Sequence, residues 1–249
     1  MKITKWYVDC VDERGSVAIA YWMRVAWGPF IRTYASTLLR REGGLAAQSR
    51  SARCAPPRID GDSLSWSCGD IDARMARRAP AVTASMLDGA IEWRAELPSA
   101  VGSIRFGEAI VEGRGYAEVI SMRVAPWNLP IRELRWGRFT GRRHAVVWID
   151  WRGAHPLTLV ASDGVRAHHA QVDDRLIRFD GAELLLEEPE VVRDASLAET
   201  LHDAGALRFL VPSRFAAMRE CKWRSRGTLR GEGMEADRGW SIHEVVRLA

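Results

Sequence analysis

Residues 113–151 read GRGYAEVISMRVAPWNLPIRELRWGRFTGRRHAVVWIDW, and the spacing within them decides the fold class. Tyr116 to Val124, Ile131 to Phe139 and Ala145 to Trp151 carry the period-2 patterning of strands that bury at least one face. The same period recurs upstream. Val17, Ile19, Tyr21, Met23, Val25 and Trp27 fall on one face, and Ala18, Ala20 and Trp22 on the other. Asp12 to Gly15 is a turn that makes residues 5–27 a hairpin, Gly28-Pro29 ends its second strand, and residues 32–39 read as a third. Residues 41–62 contain Gly-Gly and Pro-Pro without an apolar period and read as a loop. Ser63 to Cys68 alternates Leu64, Trp66 and Cys68, and Asp70 to Arg78 reads as a short helix or a strand edge. Ala90 to Leu97 and Ile104 to Glu112 read as further strands.

Downstream, strands are expected at Leu157 to Ala161, Val165 to Ala170, Arg175 to Phe179 and Ala182 to Glu187. Arg214 to Trp223, Gly227 to Glu235 and Ser241 to Leu248 follow, with Asp194 to Asp203 the best helix candidate, capped by Asp194 or Ser196. Short strands joined by tight turns describe a barrel or a sandwich.

Composition narrows the function. Of the 36 Lys and Arg residues only Lys2, Lys5 and Lys222 are lysine, and the 32 acidic residues are interleaved with the arginines. A net charge of +4 without a basic stripe argues against a nucleic-acid partner. No stretch approaches the roughly 20 apolar residues of a membrane span, so no integral membrane segment is expected. Cys10, Cys54, Cys68 and Cys221 include no Cys-x-x-Cys pair, which leaves zinc unsupported, and MKITKWYVDC (1–10) has no apolar core of signal-peptide length, so a cytoplasmic protein with reduced thiols is the expectation. The six histidines show no metal-ligand spacing; His168-His169, read as strand, would point its rings to opposite faces. Eleven tryptophans are the outlying number, and they suit either an aromatic core or a cavity walled with rings. Gly113-Arg114-Gly115 precedes a strand rather than a helix, so it marks a bulge or a close backbone approach instead of a phosphate cradle.

Three segments carry a resemblance: GRGYAE (113–118), PWNLPIRELRWGRF (126–139) and HAVVWIDW (144–151). They are similar to the carotenoid 1,2-hydratase (hydroxyneurosporene synthase) family and its AttH-like relatives. Gly115-Tyr116-x-Glu118 corresponds to the family's Gly-Tyr-His-Asp, Trp136-Gly137-Arg138 to its Trp-Gly-Arg, and RGEGMEADRGW (230–240) to its last hairpin. The resemblance implies an all-β chain of two lipocalin-like antiparallel β-barrel domains packed together. We place them at residues 1–112 and 113–249, the second carrying the family motifs. It also implies hydration or cyclisation of a hydrophobic alkene without a cofactor. Ala117 stands where the family has His, and Ile120-Ser121-Met122 where it has Asn-Trp-Gly, which fits the AttH-like branch better.

The residues supply a chemistry for that implication. Protonating an unactivated alkene takes a carboxylic acid held in an apolar site, with aromatic faces to tolerate the cation. Each ring contributes roughly 0.5 to 2 kcal/mol through cation–π attraction. Glu118 shares a strand face with Tyr116, Ile120 and Met122, and Asp150 shares one with Val146 and Trp148. We therefore expect Glu118 as the acid, Asp150 in support, Tyr116 orienting it, and Trp136, Trp148, Trp127, Arg138, Trp22 and Trp66 lining the pocket. Pairing of either carboxylate with Arg135 or Arg138 is the competing structural explanation. A hydrophobic small molecule is the expected partner. A non-catalytic lipocalin-like carrier is the alternative, and a purely structural β protein is a third class that gives no account of a carboxyl among aromatics.

Overall fold

The computed structural model describes the chain except residues 42–43, 52, 197–198, 200–211, 213–215 and 248–249, and over 45–51 it describes the backbone alone. Among the described residues it is almost entirely antiparallel strand, in two curled sheets that belong to two compact units, one up to Leu129 and one from Pro130.

The first unit begins with a three-strand meander, β1 (Lys2–Val11), β2 (Val17–Trp27) and β3 (Phe30–Arg41). Asp12 closes the first turn: its side chain accepts from the Ser16 N–H (2.7 Å), and Gly15 takes the left-handed φ of 86° that the turn requires. There follow β4 (Gly44–Ser51), β5 (Arg58–Asp60), β6 (Ser63–Cys68), β7 (Ile71–Arg77), β8 (Val82–Met86), β9 (Ile91–Phe106) and β10 (Ala109–Met122). The sheet order is β4-β3-β2-β1-β10-β9-β7-β6-β5, with β8 also paired to β9. Alternate residues of β1, β2, β6 and β10 (Trp6, Val8, Cys10, Ala18, Ala20, Trp22, Leu64, Trp66, Ala117) form one core cluster. The opposite face is buried too, at Tyr7, Asp9, Ile19, Tyr21 and Tyr116. Two-sided burial explains why β1 and β2 are apolar on both faces.

The second unit contains β11 (Ile131–Gly141), β12 (Ala145–Gly153), β13 (Leu157–Ser162), β14 (Val165–Arg166), β15 (Ala170–Val172), β16 (Leu176–Phe179), β17 (Ala182–Ser196), β18 (Arg219–Gly231) and β19 (Asp237–Arg247). Their order is β14-β13-β12-β11-β19-β18-β17-β16-β15, around a core of Phe139, Val146, Trp148, Val160, Ile177, Leu184 and Leu229. Asp237 clamps the β11–β12 turn: its buried carboxylate accepts the N–H groups of Arg142 (2.9 Å), Arg143 (3.0 Å) and His144 (2.8 Å). A Cβ at Gly141 would lie 2.1 Å from that carboxylate, so only glycine fits.

Several expectations need correction. The division at 112/113 falls inside β10, which pairs with β1 and β9 along its length; the boundary lies at Leu129/Pro130, and the GRGYAE segment belongs to the first unit. The expected loop 41–62 contains β4 and β5, edge strands whose small polar residues give no apolar period. Asp70 to Arg78 is strand β7, and Ile104 to Glu112 straddles the β9–β10 turn at Gly107 (φ 57°). In the tail, β18 runs unbroken from Arg219 to Gly231 across the expected gap between two strands. His168 and His169 lie in a bend, their N–H groups donating to Asp180 (3.1 and 2.9 Å), so the opposite-face argument does not apply. The helix expected from Asp194 begins instead with strand up to Ser196. Ser196 and Glu199 then make a reciprocal capping box, with Glu199 N–H to Ser196 Oγ at 3.2 Å and Ser196 N–H to Glu199 Oε2 at 2.6 Å. The rest of that segment, like Arg214 and Phe215 at the start of the expected 214–223 strand, lies outside the described residues. Cys54 and Cys68 form a disulfide, against the expectation of reduced thiols; β5 and β6 fold Cys54 back beside Cys68.

Candidate active site

The Gly-x-Gly before Tyr116 is a close approach of backbones. A Cβ on Gly113 would sit 2.2 Å from the Val11 carbonyl, and one on Gly115 2.7 Å from Met75 Sδ. Between Gly115 and Glu118 the β9–β10 register shifts twice, so that Ala95 rather than a residue nearer Leu97 stands opposite Glu118. That irregularity re-aims the side chains that follow. Tyr116 and Glu118 emerge on one face, and Trp93 of β9 reaches them there: Trp93 Nε1 donates to Glu118 Oε2 at 2.5 Å and the Tyr116 hydroxyl donates to the same oxygen at 2.7 Å. Trp93 is 3% exposed and Tyr116 fully buried, while Glu118 keeps partial exposure.

Tyr7 is the β1 partner of Glu118 in register. Its ring meets Tyr116 edge-on at 6.0 Å and Tyr21 at 5.3 Å, and Lys5 Nζ lies 5.2 Å from the Tyr21 centroid. A carboxyl is thus held by an indole and a phenol beside a run of three tyrosine rings. Both donors converge on one oxygen, which fixes the plane of the carboxyl and stabilises the charge left behind when the group gives up a proton.

The other expected residues fall elsewhere. Asp150 belongs to the second unit and is 5% exposed; Arg152 Nε donates to its Oδ2 (2.6 Å) and Thr158 Oγ1 to its Oδ1 (2.7 Å). This is a structural ion pair, and the arginine is Arg152 rather than the expected Arg135 or Arg138. Arg135 instead joins Glu133 (2.7 Å) and Asp174 (2.7 Å), and Arg152 and Arg247 also bond Glu133. Burial pushes the Glu133 carboxyl up, but the hydrogen bonds and charges of Arg247 and Arg135 outweigh it and hold it below the usual carboxylate range. Arg138 is fully buried, bonded to Thr140 Oγ1 and the Trp240 carbonyl (3.4 Å each). Trp136 stacks under Lys222 Nζ at 5.2 Å, and Lys222, itself buried, pairs with Glu244. Trp148 fills the space that Gly137 leaves open. Trp127 sits in a 3-10 turn, Pro126–Asn128, at the end of the first unit.

Trp22 and Trp66 belong to the first unit's core on the face away from Tyr21 and Glu118, donating to the Cys54 and Ala55 carbonyls (3.0 Å each). Trp66 and Met75 also line a cleft of about 690 Å³ with Ala55, Ser65 and Arg74, which includes neither Glu118 nor Tyr116.

Trp93 is the site residue that sequence reading missed. It lies in an expected strand, but nothing local says that β9 pairs with β10 in the register that brings it to Glu118. His243 is the second unit's unusual titratable group. Its Nε2 is 2.8 Å from Ser225 Oγ and its ring stacks on Trp223 at 5.3 Å, and burial followed by the nearby Lys222 charge pulls its pKa down to about 4. Ser225 is fully buried, which makes the pair a core contact rather than a nucleophile and its base. Among the described residues no three His, Cys, Asp or Glu side chains are placed to hold a metal ion, and no helix is long and apolar enough to cross a membrane.

No family model matches the chain, and no curated protein matches it in sequence. Solved structures do match in fold. A Nitrosomonas europaea protein assigned as an AttH (NE1406) superposes with a TM-score of 0.58 at 13% identity, covering 98% of this chain and 92% of that one. CghA gives 0.63 at 11% identity over 100% of this chain and 88% of its own, and its complex with Sch210972 gives 0.61 at 10% over 100% and 89%. Kievitone hydratase from Nectria haematococca gives 0.52 at 7%, covering 98% and 88%. The chain therefore shares, over nearly its whole length, the two-barrel lipocalin-like fold of AttH-like proteins and of a hydratase.

Proposed function

We propose that this protein binds a small hydrophobic alkene, of isoprenoid or polyene type, and hydrates, isomerises or cyclises it by acid catalysis at Glu118. The observation that carries the reading is the convergence of Trp93 and Tyr116 on Glu118 Oε2 beside Tyr7 and Tyr21. The proton leaves from Oε1 to an alkene carbon, producing a carbocation that faces the tyrosine rings. Water adds to the cation and returns a proton to Glu118, or the cation loses a neighbouring proton to Glu118 and gives the isomer; in cyclisation a second double bond attacks the cation, and the new cation so formed loses a proton to Glu118 or takes up water that returns one. The two donors strengthen their hydrogen bonds as the carboxylate forms, so they favour the transition state over the ground state. Trp93 and Tyr116 are positioning residues in this scheme. Asp150 is left to its ion pair with Arg152.

That a neighbour of the same fold is a hydratase and another binds Sch210972 supports a ligand-holding, alkene-adding chemistry for this fold. The test is incubation with prenyl and polyene substrates in deuterium oxide. The reading expects deuterium at a substrate carbon, dependent on Glu118 and lost in Glu118→Gln. Substrates that bind and return unlabelled would identify a carrier instead.

A further inference from the structure

The hairpin that joins β2 to β3 ends in Trp27-Gly28-Pro29-Phe30-Ile31, five consecutive exposed residues. Three are large and apolar: Trp27 is 44% exposed, Phe30 69% and Ile31 49%. The register accounts for this. Among the described residues β1 flanks β2 only as far as Lys2 opposite Ala26, and β4 flanks β3 only as far as Ser51 opposite Tyr34, whereas the hairpin continues to Trp27 opposite Phe30. The tip projects past both neighbours, where no core calls for apolar side chains.

Its surroundings are cationic. Strand alternation puts Arg32, opposite Val25, on the face of Trp27 and Phe30, and puts Arg24 and Lys2 on the face of Ile31. From Arg14 to Arg41 there are five arginines and no Asp or Glu. None of Lys2, Arg24 and Arg32 has a carboxylate partner among the described residues; Arg32 Nη1 donates to the Ile31 carbonyl at 3.1 Å.

Aromatic and branched apolar side chains at a rigid Gly-Pro turn, ringed by cations on both faces, have the chemistry of an interfacial anchor. The rings partition to the boundary of head groups and acyl chains, and the cations meet acidic head groups. A second copy of the chain would bring the same cations together, which disfavours self-association through this tip. We propose that the Trp27–Ile31 tip docks the protein onto an anionic lipid bilayer. This inference does not depend on Glu118.

The full chain should co-sediment with vesicles of phosphatidylcholine and phosphatidylglycerol and much less with phosphatidylcholine alone. Trp27→Ser/Phe30→Ser/Ile31→Ser should weaken binding by at least about tenfold, and Arg24→Gln/Arg32→Gln by about tenfold with loss of the salt dependence. Phe30→Ser alone, at the most exposed site, should give a partial loss at an unchanged thermal midpoint, which separates the effect from misfolding. A wild-type chain that ignores anionic vesicles at low salt, or a triple variant that binds as well as wild type, overturns the proposal. So does a dimer in sedimentation velocity that the triple variant dissolves without any vesicle binding, which would assign the tip to self-association.

Discussion

Glu118 in β10 and Asp150 in β12 both stand on strands that carry aromatic residues, Tyr116 on the one and Trp148 and Trp151 on the other, yet one takes hydrogen bonds from Trp93 and Tyr116 and the other from Arg152 and Thr158. A guanidinium supplies a full opposite charge, so the carboxylate it holds is tied to its place in the sheet. An indole and a phenol supply dipoles. They orient the carboxyl and stabilise the charge that forms when its proton leaves. The wider setting repeats the contrast. In the second unit Glu133 gathers Arg135, Arg152 and Arg247, Asp237 gathers three backbone N–H groups, and Glu244 holds the buried Lys222. Carboxylates there fasten strands; the first unit's Glu118 sits among tyrosines.

Asp237→Ala should break the second unit most severely. It removes the buried carboxylate that accepts three turn N–H groups, and we expect a loss of about 4 kcal/mol in chemical denaturation. A change under about 1 kcal/mol would mean that the clamp is not structural. His243 comes next. Its folded pKa near 4 lies below the ordinary 6.5, so the unfolded chain binds more protons between those values and stability falls as pH drops from about 6.5 to about 4. The loss should reach on the order of 3 kcal/mol, and His243→Gln should flatten that window.

Trp93→Phe sharpens the first unit's side. It keeps the ring and removes one donor from Glu118 Oε2, so turnover should drop about tenfold while the alkaline limb of the pH profile, where the acid loses its proton, moves up, because the charged carboxylate loses a partner. A purely structural tryptophan would leave the limb where it was. The smallest effect is expected at Arg247→Gln: Arg247 is 62% exposed and its bond to Glu133 is screened, so stability should change by less than about 0.5 kcal/mol.

Much of this was legible in the sequence. The period-2 runs located β1 to β3, β6 and β10 to β13, because strands that bury a face must alternate. The glycines at 113 and 115 announced the close approach that the backbone makes. What stayed hidden was pairing. The position of Trp93 against Glu118 depends on two register shifts between β9 and β10, and Arg152's grip on Asp150 on side chains of the same strand turning toward each other. The unit boundary was misplaced for a related reason, since the densest motif ends the first sheet and opens the second. Asp237, 95 residues from Arg142, could be matched to its turn only once the sheets were closed.

The most direct measurement is turnover per folded molecule, on a substrate found by deuterium incorporation, for Glu118→Gln beside Asp150→Asn. The account predicts that Glu118→Gln loses at least about a hundredfold in activity with nearly unchanged stability, and that Asp150→Asn loses stability but keeps its activity to within a few fold. Equal activity in Glu118→Gln and wild type, or a collapse confined to Asp150→Asn, would contradict it.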